Sequence, residues 1–252
     1  MTDLSLITGA GTGIGRGLAL ALASRGRTVL IVGRRAGPLA EVAGRADGRI
    51  ETCQADIATV EGRAAVVAAV AGRRLRHLVH NAAVLEPIGP LSELSLQAWR
   101  QAQAVNVEAP LFLTQALLPL LSGGRILNVS SGAAHHPYVG WGSYCVSKAA
   151  LQMLTAMMQL EFADHRIVAA ALRPGVVDTP MQALIRGQSE QDFPPVQRFR
   201  QLHAHGQLSD PEQVGGFMAW LLEDTDPELF AREPWSLPQA LEQGYGPEVS
   251  RR

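Results

Sequence analysis

The sequence predicts one α/β domain over residues 1–252, a doubly wound, mostly parallel sheet with helices on both faces. Three observations lead there. Short runs rich in Val, Ile and Leu alternate with longer segments of helical period from residue 4 to about 175, which is the pattern of βα units whose strands are buried on both faces. No stretch rich in Pro, Gly or Ser interrupts the repeat to mark a domain boundary. Four alternating glycines, Gly9, Gly11, Gly13 and Gly15, follow the first apolar run directly.

The strand runs are Leu4–Thr8, Thr28–Val32, Ile50–Gln54, Leu75–Val79, Arg125–Val129 and Ile167–Leu172, with helices expected near 14–25, 36–45, 59–71, 95–121, 145–163 and 211–223. After Pro174 the pattern breaks. Residues 178–208 mix Pro, Arg, Gln and His with scattered apolar positions, so a substrate lid or binding loop is expected there, inserted before the last helix. Pro227, Pro234, Pro238 and Pro247 punctuate the tail, leaving room for a short edge strand near Leu229–Arg232. The segment 145–163 is apolar nearly all round, which calls for cover on two sides: the sheet on one and a partner subunit on the other. Met153, Met157 and Met158 read as core packing.

At 47% hydrophobic and 18% charged residues, the chain can bury a sizeable core. A net charge of -1 offers no general attraction to nucleic acid or to an anionic membrane. Cys53 and Cys145 match neither a disulfide framework nor a zinc spacing, and a reducing compartment is expected. The start of the chain enters a strand pattern by Leu4 without a basic leader segment, and no apolar run is long enough for a membrane span. The expectation is a cytoplasmic protein with a small-molecule partner. His135-His136 and His203-x-His205 lack a third ligand at a recognisable spacing, so no metal is expected.

Thr8-Gly9-Ala10-Gly11-Thr12-Gly13-Ile14-Gly15 lies between the first strand and the first helix. Glycines there permit a tight turn and let backbone N–H groups approach a pyrophosphate, whose charge the helix N-terminus favours. A dinucleotide is the expected ligand. The second strand ends in Gly33-Arg34-Arg35 with no acid; a carboxylate would bind a ribose 2′-hydroxyl, whereas a guanidinium suits a 2′-phosphate. NADP(H) is therefore favoured over NAD(H). Asp56 either accepts from the adenine amino group or caps the helix beginning near residue 59.

Of the 22 basic residues only Lys148 is lysine. It stands four residues after Tyr144, so on a helix both side chains share a face. Ser131 follows the strand ending Asn128-Val129-Ser130, at the edge where doubly wound sheets bind ligands. Carbonyl reduction takes hydride from the cofactor and needs a proton donor for the developing alkoxide. A cation near a tyrosine favours its phenolate form, and a compact ammonium can also bind ribose hydroxyls where a planar guanidinium fits poorly.

With these motifs assembled, the sequence resembles a short-chain dehydrogenase/reductase, a family with a Rossmann-type fold. The matching segments are Thr8–Gly15, Asp56-Ile57, Asn81-Ala82-Ala83, Asn106, Ser131, Tyr144-Cys145-Val146-Ser147-Lys148, and Pro174-Gly175 followed by Thr179. The resemblance implies that Tyr144 is the general acid/base, Ser131 orients the carbonyl, Lys148 lowers the tyrosine pKa and holds the ribose, and Asn106 positions a water in the proton relay. It further implies that Asn81 lines the cofactor site, with Ile14, Ile57, Ala82 and Pro174 beside it, and that the backbone near Val177 and the Thr179 hydroxyl contact the nicotinamide carboxamide. Ala83 stands where the family usually has glycine, and Gly11 or Thr12 where many members carry a basic residue, which leaves Arg34 and Arg35 to specify the phosphate.

A narrower resemblance, carried by Gly140-Trp141-Gly142-Ser143-Tyr144-Cys145, Asp178-Thr179-Pro180-Met181-Gln182 and Gly206-Gln207-Leu208-Ser209-Asp210, is to the sepiapterin reductase and benzil reductase branch. It implies NADPH-dependent reduction of a ketone or vicinal dicarbonyl by a homodimer or homotetramer. Met181 is a substrate-contact candidate, and Trp141 either walls the substrate pocket or packs beneath the lid. Glu233 is the one candidate in the tail for a pterin anchor. Competing readings are an alcohol or steroid dehydrogenase working oxidatively, and a nucleotide-bound regulatory protein without turnover.

Overall fold

The computed structural model describes residues 3–232 and 234–247, so Glu233 lies outside the described residues. A seven-stranded parallel sheet runs in the order β3-β2-β1-β4-β5-β6-β7. The strands are β1 (Leu4–Thr8), β2 (Thr28–Gly33), β3 (Ile50–Gln54), β4 (Leu75–His80), β5 (Arg125–Val129), β6 (Val168–Arg173) and β7 (Trp235–Ser236). All five residues of β1 are buried, because helices cover both faces of a parallel sheet.

On one face lie α1 (Gly13–Ser24) and α9 (Pro211–Glu223), packed with Leu18, Leu22, Phe217 and Leu221. On the other, α3 (Val60–Val70), α5 (Ala109–Leu117) and α6 (Gly142–Glu161) bury Val66, Leu113 and Met158. A Cβ on Gly215 would sit 2.3 Å from the Gly17 carbonyl carbon. The α1 and α9 backbones therefore touch, which fixes the direction in which the N-terminus of α1 points.

Four expectations are corrected. The single helix expected over 95–121 is α4 (Leu96–Gln103), a π-helical turn over 104–108, α5, and a 3-10 turn over 118–120. Pro110 has no N–H to return to the Asn106 carbonyl, so the regular ladder is broken at that point. The region 178–208 is not irregular: it carries α7 (Pro180–Arg186) and α8 (Val196–Ala204). Thr179 caps α7, its hydroxyl accepting from Gln182 N at 3.3 Å, and only Val196 and Phe199 of α8 are buried, too few apolar positions to show a period.

The edge strand is Trp235–Ser236, paired with Leu172 and Arg173, whereas 227–230 forms one helical turn, α10. Asp226 followed by Pro227 is a cap and first-turn signature, with Asp226 Oδ1 accepting from Leu229 N at 2.7 Å. Only Met158 of the three methionines is core; Met153 is 65% and Met157 41% exposed, on an α6 stripe shared with Val146 and Leu160. This is the side for which a partner subunit was expected. The remaining helices are α2 (Ala36–Gly44) and α11 (Leu237–Glu242). No helix among the described residues is long and apolar enough to cross a membrane.

Candidate active site

The carboxyl ends of β1, β2, β4, β5 and β6 open on one cleft of about 580 Å³. Gly9, Gly11, Gly13 and Ile14 line it, with Arg34, Arg35, Asp56, Ile57, Asn81 and Ala82 along the same stretch. Ser131, Trp141, Tyr144 and Lys148 lie further on, followed by Pro174, Gly175, Val177, Thr179 and Met181. Three expected residues do not reach this surface. Thr8, 1% exposed, accepts at its hydroxyl from the Asn81 and Ala82 amides, both at 3.1 Å. Gly15 lies beneath the turn, where a Cβ would meet Asn81 Nδ2 at 2.5 Å. Asn106 is buried behind the loop after β4.

The turn itself is built for close approach. Gly9 has φ +68° and a Cβ there would fall 2.6 Å from Ala82 Cα, so glycine alone fits. Asn81 Nδ2 donates to the carbonyls of Thr8 and Gly9, both at 3.0 Å, tying the end of β4 to the turn. Thr12, the N-cap of α1, makes no side-chain cap bond, and no acidic residue stands in the first turn. The positive end of α1 is thus left to an anion in the cleft. Among the described residues neither Arg34 nor Arg35 has an ion-pair partner.

Asp56 is not the cap of α3. Thr59 is, accepting from Gly62 N at 2.9 Å, while Asp56 Oδ1 accepts from Ala58 N at 3.0 Å and the residue borders the cleft. A dinucleotide fits this donor set: glycine backbone and an uncapped helix end for the pyrophosphate, arginines at the β2 end, and a buried ammonium beyond.

Tyr144 and Lys148 lie on the first two turns of α6, 7% and 2% exposed. Lys148 Nζ donates to the Val129 carbonyl at 2.7 Å and lies 5.6 Å from the Tyr144 ring centre. Burial lowers the Lys148 pKa to about 8. The expected lowering of Tyr144 does not appear in the chain itself: burial pushes it up to about 12, and the Ser131 hydroxyl pulls weakly the other way. Desolvation of the phenolate outweighs the hydrogen bond. At neutral pH the pair is therefore a neutral phenol beside an ammonium.

The Asn106 side chain is fully committed. Its Oδ1 accepts from Val84 N, and its Nδ2 donates to Val84 O, both at 2.9 Å, and to Ser147 Oγ at 3.0 Å. Pro110, four residues on, has no N–H to offer the Asn106 main-chain carbonyl. Trp141 takes both roles left open for it: it lines the cleft and stacks on Phe193 beneath α8, with ring centres 4.5 Å apart and planes at 4°. Gln182, Arg198 and Phe199 also line the cleft. Sequence reasoning passed over them, although Gln182 stands in a quoted motif directly after Met181.

The model of the short chain dehydrogenase family matches residues 4–190. A benzil reductase ((S)-benzoin forming) of Bacillus subtilis is 38% identical over 152 residues, 58% of this chain and 63% of that protein, so the match spans less than two thirds of the relative. Two solved structures are similar over nearly their whole length. A short chain dehydrogenases/reductase from Saccharomyces cerevisiae, YIR035C, has a TM-score of 0.87 at 29% identity, covering 97% of this chain and 100% of that one. The KRED1-Pglu enzyme has a TM-score of 0.85 at 32% identity, covering 91% and 98%.

Proposed function

Because this chain belongs to the short-chain dehydrogenase family, we propose that it is an NADPH-dependent carbonyl reductase acting on a ketone or vicinal dicarbonyl. The observation that carries the reading is the buried Tyr144-Lys148 pair in a cleft that begins at an uncapped glycine turn. The benzil reductase relative supports the dicarbonyl class.

When bound, the reduced nicotinamide supplies the hydride. Gly9, Gly11, Gly13 and the α1 N-terminus hold the pyrophosphate, Arg34 and Arg35 the 2′-phosphate, Asp56 and Ile57 the adenine, and Thr179 with the backbone at Val177 the carboxamide. Asn81 and Thr8 act by fixing the turn. Ser131 donates to the substrate carbonyl, which polarises it and aims it at Tyr144. Tyr144 gives its phenolic proton to the alkoxide oxygen as charge develops there. Lys148 steadies the resulting phenolate and binds the ribose hydroxyls, and a water on the Asn106 carbonyl returns a proton toward the tyrosine. Burial keeps Tyr144 protonated, so its resting form is the neutral phenol that carries the proton to be given.

The helices α7 and α8 form the substrate lid, with Trp141 and Met181 on the substrate wall. The α6 stripe of Val146, Met153, Met157 and Leu160, with Leu111 and Phe112 of α5, is covered in a homodimer or homotetramer. Two free cysteines suit a reducing cytoplasm.

The test follows loss of reduced-nicotinamide absorbance with benzil, a second aromatic 1,2-diketone, sepiapterin and a plain aryl ketone, using NADPH and NADH in parallel. Preferential consumption of NADPH with a diketone is expected. Binding of NADPH with no consumption by any of the four would overturn the reductase reading.

A further inference from the structure

Gln182, in the first turn of α7, is 2% exposed and lines the cleft. Its side-chain oxygen accepts from Arg186 Nη1, one turn further along the helix. Arg186 is itself held 3.6 Å from Asp178 Oδ1. A guanidinium has only donors to offer, so it dictates that the oxygen end of the amide faces it and the NH2 end faces away. Among the described residues that Nε2 has no hydrogen-bond partner. A second orphan donor, the indole Nε1 of Trp141, belongs to a residue of the same cleft. Buried donors are almost always satisfied, and an exception in a cleft is met by what the cleft binds.

The proton path through Ser131, Tyr144 and Lys148 serves one substrate oxygen and uses neither donor. An uncharged amide N–H suits a neutral carbonyl or hydroxyl oxygen, with no excess positive charge to select a carboxylate. We propose that Gln182 is a specificity-determining residue. Its carboxamide NH2, aimed by Asp178 and Arg186, donates to a second substrate oxygen adjacent to the carbonyl being reduced. Vicinal dicarbonyls and α-oxygenated ketones are then preferred to plain ketones, because a plain ketone leaves the buried donor unmet. The inference rests on the reductase reading above and narrows its substrate class.

The test compares kcat and KM for benzil and for the matching monoketone deoxybenzoin in the wild type, Gln182→Glu and Gln182→Leu, with NADPH Kd measured alongside. Gln182→Glu keeps the size of the side chain and its Arg186 partner but cannot donate. In both variants kcat/KM for benzil is expected to fall about tenfold to a hundredfold, mainly through KM. Deoxybenzoin should change less than about threefold, with NADPH Kd unaltered. Parallel losses on both substrates, or a weakened NADPH Kd, would overturn this inference alone and assign the amide to the fold or to the cofactor. A wild type that turns over neither ketone would overturn the reductase reading, and this inference with it.

Discussion

Glu223 and Lys148 are buried charges at opposite ends of the same sheet, and their surroundings differ in kind. At the amino end, Arg27 grips Glu223 with two bonds of 2.6 and 2.5 Å, and Arg76 stands 3.6 Å away. Arg125 closes the end of α9 there by donating to Leu221 and Leu222 carbonyls at 3.0 and 3.2 Å. At the carboxyl end, among the described residues, Lys148 has a backbone carbonyl and no carboxylate, and Ser130 Oγ, Trp141 Nε1 and Gln182 Nε2 have no hydrogen-bond partner, whereas Arg76 Nε and His77 Nε2, also without a hydrogen bond at the amino end, stand 3.6 and 3.9 Å from the Glu223 carboxylate. Paired charge at one end holds the sheet to its helix. Unpaired polarity at the other is the signature of groups kept for ligands, so substitutions at the two ends should separate stability from turnover.

The largest separation is expected at Lys148. Lys148→Met should lower turnover about a thousandfold and weaken NADPH binding, because the proposed function gives one ammonium both the tyrosine and the ribose to serve. Steady-state rates and a binding titration check it, and near-normal turnover would break the comparison. Arg34→Asp comes next: the NADPH to NADH preference should fall about tenfold or more, as a carboxylate repels the 2′-phosphate and accepts from a ribose hydroxyl. An unchanged ratio would put the phosphate elsewhere.

At the amino end, Glu223→Gln should cost about 1–3 kcal/mol of stability by stranding Arg27 and Arg76. Turnover per folded molecule should not change, and thermal melts with active-site titration separate the two. A last effect concerns acid. Burial lowers His77 and His80 to about 3 from 6.5. Between those values the unfolded chain binds protons that the native chain refuses, so stability is lost as pH falls from about 6.5 toward about 3. His77→Gln should flatten that slope, and a melting temperature constant from neutral pH to pH ~4 would contradict it.

The residues legible in the sequence were those whose reason is local. Strands buried on both faces read as near-continuous apolar runs, which is why Leu4–Thr8 and Arg125–Val129 have the expected ends. The glycine turn and the Tyr144-Lys148 spacing reflect one turn and one helix. What stayed hidden depends on neighbours far along the chain. Which side of the turn Thr8 and Gly15 face is decided by Asn81, the residue after β4. The commitment of the Asn106 amide is decided by Val84 and Ser147. Single residues also overrode longer patterns, as Pro110 did to the helix near 95–121 and Asp226-Pro227 to the expected edge strand. The unmet amide of Gln182 shows only once Arg186 is seen holding its other end.

The proposed proton transfer at the carboxyl end of the sheet runs through Tyr144. Its most direct test is Tyr144→Phe, with turnover of a diketone and NADPH Kd measured on one preparation. Removing the hydroxyl from a ring that stays packed against Trp141, now 5.9 Å between centres, should lower turnover at least about a hundredfold while NADPH binding is largely kept. Turnover equal to that of the wild type would contradict the account and place the proton donor on another group.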